Sequence, residues 1–192
     1  MGLLNILLKA LIPAIFDYFK RRSIKKAETK YVDRLKLMVQ FRNVMGQIAN
    51  LTFVDRVLLL NGKNGGGLPT AGHKYTVMAV DGWTTLPHHT DVLKLYGHDI
   101  QVDNHYATML VNMIDAGVYT NVTSEMPIRS LLRGMYEVEG VSSSLVFFLR
   151  VDSINNQLEY ISLGRYSGTF NDIQIAAIRP MVAWLKAIVT SH

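Results

Sequence analysis

Five histidines fall within 33 residues of this chain: His73, His88, His89, His98 and His105. Histidine is the commonest metal ligand and the side chain best suited to moving protons near neutral pH. A metal site needs more than the residue type, however. The adjacent His88 and His89 cannot easily share one ion, no His-x-x-x-His spacing occurs, and no carboxylate frame accompanies the group. These residues read as loop histidines, with no metal expected. The chain has no cysteine, which excludes disulfides, thiolate ligands, cysteine nucleophiles and thioether-attached chromophores.

Other reactive patterns are equally thin. Ser142, Ser143 and Ser144 lack the Gly-x-Ser-x-Gly elbow that would activate a nucleophile, and read as solvent-facing alternates of a strand. The glycine cluster Gly65-Gly66-Gly67 lacks the Gly-Lys-Ser/Thr ending of a phosphate loop and is followed by no helix, so it reads as a hairpin connection. Asp99, Asp103 and Asp115 suggest a carboxylate pair, but helix capping accounts for Asp103 and no partner acid is placed. Neither enzymatic activity nor a cofactor is expected. Asn50-Leu51-Thr52 and Asn121-Val122-Thr123 match the glycosylation pattern, which is irrelevant if the domain is cytoplasmic.

The elements that would position these residues follow from periodicity. Ser23 to Asn50 has a helical pattern, with Ile24, Tyr31, Leu35, Met38, Met45 and Ile48 near a heptad rhythm and Leu37, Phe41 and Val44 thickening the stripe. Arg56–Leu60 is a short apolar strand entering the turn Asn61–Gly67, and Lys74–Val80 returns from it. Residues 81–102 read as irregular. Asp103–Ala116 is a helix capped by Asp103 and stopped by Gly117, and Pro127–Glu139 is a second, with Pro127 in its first turn. Val141–Val151 and Gln157–Tyr166 are strands joined at Asn155-Asn156. Phe170–Val189 closes the chain as a helix whose apolar face includes Ile173, Ala177, Ile178, Met181, Trp184, Leu185 and Ile188, with a kink expected at Pro180.

Charge is unevenly spread. Residues 1–42 hold ten Lys/Arg against three Asp/Glu, and residues 43–192 hold ten against twelve. The basic balance thus belongs to the N-terminal segment, and no nucleic-acid partner is expected of the folded part. Gly2–Phe19 is strongly apolar and ends in Lys20-Arg21-Arg22. A cleaved signal peptide would carry its charge before the apolar run. A spanning helix would be short and interrupted by Lys9, Pro13 and Asp17. As an amphipathic helix, the segment presents Leu4, Leu7, Leu8, Leu11 and Ile15 on one stripe that needs lipid or protein to cover it. The organisation expected is a docking helix over 1–22, a connecting helix over 23–52 and a globular domain over 53–192.

In element order the globular part resembles the GAF family over about residues 31–190. The carriers are Asp55-Arg56-Val57-Leu58-Leu59-Leu60 after a helix, the strand Ser144–Val151, the strand Leu158–Gly164, and Thr169-Phe170-Asn171-Asp172 opening the last helix. The resemblance implies an α+β fold: an antiparallel sheet with the first and last helices on one face and two short helices on the other. A PAS-like arrangement is the alternative. It also implies a ligand position between the sheet and the excursion, which would bring Trp83, Tyr96, His105, Tyr106, Met109, Tyr136 and Phe148 to its wall. The family's cyclic-nucleotide signature is absent after Phe170, and its cysteine chemistries are excluded. The function expected is therefore a non-enzymatic regulatory or interaction module. It would be docked to a membrane or protein partner, or self-associated, through residues 1–50, in the cytoplasm or on the cytoplasmic face of a membrane. The alternative is a structural component of a large assembly such as a virion, with a ligand-free GAF-like fold.

Overall fold

A computed structural model describes residues 32–33, 35–63, 75–85, 92–152 and 157–190. The expectations for Leu4, Leu7, Leu8, Leu11, Ile15, His73, His88, His89, the Gly65–Gly67 cluster and the Asn155-Asn156 turn lie outside the described residues. The chain divides into two compact units, 1–42 and 43–192, a boundary that falls inside the segment expected to connect.

A helix over residues 35–49, α1, gives the second unit Val44, Met45 and Ile48, all buried. Then come β1 (Arg56–Lys63), β2 (Thr76–Thr84), α2 (Val92–Tyr96), β3 (Ile100–Gln101), α3 (Asn104–Ala116), β4 (Val118–Val122), α4 (Leu131–Glu139), β5 (Ser143–Asp152), β6 (Gln157–Arg165) and α5 (Asp172–Thr190). The strands form one six-stranded sheet in the order β3-β2-β1-β6-β5-β4. Every neighbouring pair is antiparallel. The two long hairpins expected from the sequence lie side by side, joined through β1 and β6.

Side chains alternate across this sheet, so each strand feeds two cores. Leu58, Leu60, Val77, Ala79, Val146, Leu158 and Tyr160 face one way and pack with Tyr106, Met109, Met113, Leu132 and Tyr136 of α3 and α4. Val57, Leu145, Phe147, Ile161 and Leu163 belong to the opposite register, the face covered by Ile178, Val182, Leu185 and Ile188 of α5.

Several expectations need correction. β1 continues through Asn61 and Gly62 to Lys63, because β6 pairs with it along its whole length. β2 reaches Thr84, and residues 81–102 also hold α2 and β3. The register shifts between Leu59 and Leu60, a bulge that a two-residue alternation cannot reveal. β4 has no counterpart among the expected elements, although Val118, Tyr119, Thr120 and Val122 are strand-favouring residues; its five residues are a short segment directly after α3. The second excursion helix starts at Leu131, with Pro127–Arg129 in a turn before it. Among the described residues the other face therefore carries three helices, α2, α3 and α4. α5 is unbroken across Pro180, but its buried side differs from the stripe expected: Ile173 is 81% exposed and Trp184 52% exposed, while Val182 is buried. In α1, Leu35 and Met38 are exposed. Ser143 and Ser144 are fully buried, not solvent-facing. Ser143 donates to the Gly168 carbonyl at 2.8 Å, and Ser144 bonds within the core.

Candidate functional site

The α3/α4 side of the sheet holds an unusual density of buried polar groups. Arg56 opens β1 with its side chain on the inner face and is 1% exposed. Gly164 stands opposite it on β6. A Cβ there would come within 3.0 Å of Arg56 Nε, so the absence of a side chain lets the guanidinium lie flat across β6. Arg56 Nη1 forms an ion pair with Glu139 Oε2 and donates to Tyr96 Oη at 3.0 Å. Its Nη2 donates to Ser162 Oγ at 3.3 Å. The rings of Tyr96 and Tyr136 lie 5.1 and 5.3 Å from the guanidinium carbon, within cation–π range. Burial works against the Arg56 charge, yet Tyr96, Glu139 and Tyr136 more than offset it and raise its pKa above that of a free arginine.

Glu139 is the last residue of α4. The helix stops at Gly140, whose φ of 84° is left-handed and suits glycine. Tyr96 Oη donates to Glu139 Oε2 at 2.5 Å. Tyr166 Oη donates to Oε1 at 3.3 Å and sits 3.1 Å from Thr84 Oγ1. Both carboxylate oxygens are thus engaged.

Behind this pair, Tyr106 Oη and Tyr160 Oη meet at 2.7 Å. Tyr136 Oη lies 2.9 Å from Ser144 Oγ, which also accepts from Asn121 Nδ2 at 3.1 Å. Asn121 is 3% exposed, so the first residue of the Asn121-Val122-Thr123 pattern is a core hydrogen-bonding residue. Burial raises the pKa values of Tyr96, Tyr106 and Tyr160. What remains open among these groups is small. About 10 Å³ is free to the centre of a water molecule, in a cavity lined by Arg56, Tyr96, Tyr106, Met109, Tyr136 and Tyr160 among others. That is room for roughly one water.

Of the residues expected at a ligand wall, Tyr96, Tyr106, Met109 and Tyr136 line this cavity. Phe148 is partly buried against the same core, with Lys186 Nζ 4.8 Å from its ring centroid. His105 is on α3 but does not line the cavity. Trp83 pairs with Val57 in the opposite register, away from it. Arg56, Glu139, Tyr160, Ser162 and Tyr166 were not anticipated. Two signals were readable: a charge inside an apolar strand, and an acid at a helix C-terminus, where the dipole disfavours it. Among the described residues no three His, Asp or Glu side chains come together as a metal site.

No family model and no curated protein sequence matches this chain. Solved structures do match its fold. The GAF domain of PixJ from Thermosynechococcus elongatus, in its blue-light-absorbing form, superposes with a TM-score of 0.55 at 13% identity, over 80% of this chain and 84% of that one. The GAF domain of a GAF/HD domain protein from Geobacter sulfurreducens gives 0.53 at 8% identity, over 78% and 89%. That of a two-component sensor histidine kinase from Bacillus halodurans gives 0.52 at 13% identity, over 78% and 90%. The fold is GAF-like, as the order of elements implied.

Proposed function

We propose that this chain is a non-enzymatic, GAF-like regulatory or interaction module, docked to a membrane or a protein partner through residues 1–22. The observation that carries the reading is the filled interior. The space between the sheet and α2–α4, where a ligand would sit, is occupied by the chain's own Arg56, Glu139 and tyrosine side chains. A module of this kind signals or assembles through its contacts. The apolar, basic segment 1–22 supports docking as the route. A second reading, a ligand-free structural component of a large assembly, draws on the same filled interior.

The test compares the full chain with one lacking residues 1–22, in sedimentation with anionic liposomes and in sizing without lipid. The full chain is expected to pellet with vesicles or to form a defined oligomer, and the truncated chain to do neither. A large, closed, lipid-free particle of many copies, in place of a small oligomer, would favour the structural reading. Identical behaviour of the two chains would overturn docking through this segment.

A further inference from the structure

The six-stranded sheet has two edges, and they are built differently. At one end β3 is only two residues long, and the adjacent Asp99 is ion-paired with Lys63. Short edges flanked by charge discourage further pairing. At the other end β4 presents five residues, Val-Tyr-Thr-Asn-Val, with no charge, no proline and no register shift against β5.

The hydrogen bonds flanking β4 fix which way each of its residues faces. Phe148 N–H donates to the Gly117 carbonyl at 3.2 Å, and Thr123 N–H to the Ser142 carbonyl at 2.9 Å. Backbone groups alternate along an antiparallel strand, so Tyr119 and Asn121 also turn theirs to β5. Those of Val118, Thr120 and Val122 turn outward, and among the described residues no hydrogen bond reaches them. Side chains alternate as well. Tyr119 and Asn121 point to the α3 side. Val118, Thr120 and Val122 therefore lie on the opposite face, Thr120 exposed and the two valines half-buried.

The outward set, Val118, Thr120 and Val122, reads the same in both directions. A second β4 laid antiparallel about a two-fold axis at Thr120 puts Val118 of each copy opposite Val122 of the other. The two Thr120 residues then face each other. Every outward N–H and C=O gains a partner, and valine meets valine and threonine meets threonine with no like charges opposed.

We propose that β4 is a self-pairing edge, through which two copies of this chain join their sheets. A five-residue edge is small beside the roughly 1,000 Å² of a lasting interface. The pairing therefore operates where copies are already gathered. In this it rests on the docking by residues 1–22 proposed above, which raises the local concentration.

The chain has no cysteine, so introduced thiols report the contact directly. Facing residues of a hydrogen-bonded pair lie about 5.5 Å apart at Cα, inside the range of a disulfide. The full chain carrying T120C, at high concentration with copper–phenanthroline as oxidant, should cross-link at least about tenfold faster than I173C. Ile173 is the control because it is 81% exposed and lies away from β4, on α5. V118C mixed with V122C should link, and either alone should not, because only unlike positions face each other. Thr120→Pro added to both chains of that mixture should abolish the link and leave Tm nearly unchanged, since the lost N–H points outward. T120C no faster than I173C would overturn the proposal. So would V118C or V122C linking alone as fast as the mixture, or a link that survives Thr120→Pro. T120C and I173C share the same docking segment, so their ratio reads the edge alone. A failed ratio leaves docking through residues 1–22 standing, and a failed docking test leaves the ratio to be read.

Discussion

Tyr106 on α3 and Tyr160 on β6 face each other hydroxyl to hydroxyl at 2.7 Å, both almost wholly out of water. One donates and the other accepts, so each is the other's partner in the apolar layer between sheet and helices. Such a pair is worth little net, but half of it is expensive to leave behind. Tyr106→Phe and Tyr160→Phe are each expected to lower unfolding free energy by about 1–2 kcal/mol. The double variant should lose less than the sum of the two losses, by a coupling of roughly 1 kcal/mol. Urea unfolding of the four proteins checks this. An additive cycle would show that each hydroxyl finds a second partner, such as water in the adjacent cavity.

The same burial predicts how the domain responds to alkali. Burial pushes Tyr75 up to about 12 and raises Tyr106, Tyr160 and Tyr96 in the same direction. In the unfolded chain these phenols ionise near pH 10. A folded pKa above the unfolded one means that the folded state holds its proton longer. The stabilisation is complete below about pH 10 and is lost as pH rises toward about 12. Tm should fall steeply in that window, and tyrosinate absorbance should lag until the domain unfolds. Gradual, independent ionisation of all the tyrosines with the fold intact would contradict this.

The sequence made the scaffold legible where periodicity was strong. β5, β6, α3 and α5 are long segments with clear apolar patterns, and the order of elements was sufficient to indicate the GAF-like fold. It failed where tertiary context overrides local pattern. Val118–Val122 pairs with β5 along its whole length and Asn121 bonds to Ser144 across the pair; the strand propensity of Val, Tyr and Thr is a local signal, but the partner strand and the buried asparagine are set by tertiary context. The cavity wall was half legible: Tyr96, Tyr106, Met109 and Tyr136 are apolar-bodied residues on expected elements. Arg56 and Glu139 are 83 positions apart and meet only because α4 ends above the first residue of β1.

Asp103 serves two helices. Its Oδ1 accepts from Tyr106 N–H at 2.8 Å, capping α3, and its Oδ2 accepts from Leu131 N–H at 2.6 Å, at the start of α4. A single cap is worth about 1 kcal/mol. Asp103→Ala should therefore cost roughly 2 kcal/mol, and Asp103→Asn about half of that, since the amide keeps one acceptor. The distinguishing readout is hydrogen exchange. Protection should fall in the first turns of both α3 and α4 in the alanine variant. Loss confined to α3 would mean that the α4 contact does not hold in solution.

The register of α5 makes neighbouring residues behave oppositely. Leu185 is fully buried whereas Trp184 is 52% exposed, although both are large and apolar. Leu185→Ala removes packed volume from the core and should cost about 3 kcal/mol. Trp184→Ala should change stability by less than about 1 kcal/mol, as surface substitutions do. Trp184 should also be the more accessible of the two tryptophans to a soluble quencher, because Trp83 is only partly exposed. Replacing Trp184 with Phe should remove most of the quenchable emission and leave Tm nearly unchanged. A large loss of stability at Trp184 would mean that this face of α5 is covered in solution, by a second copy or by another part of the chain.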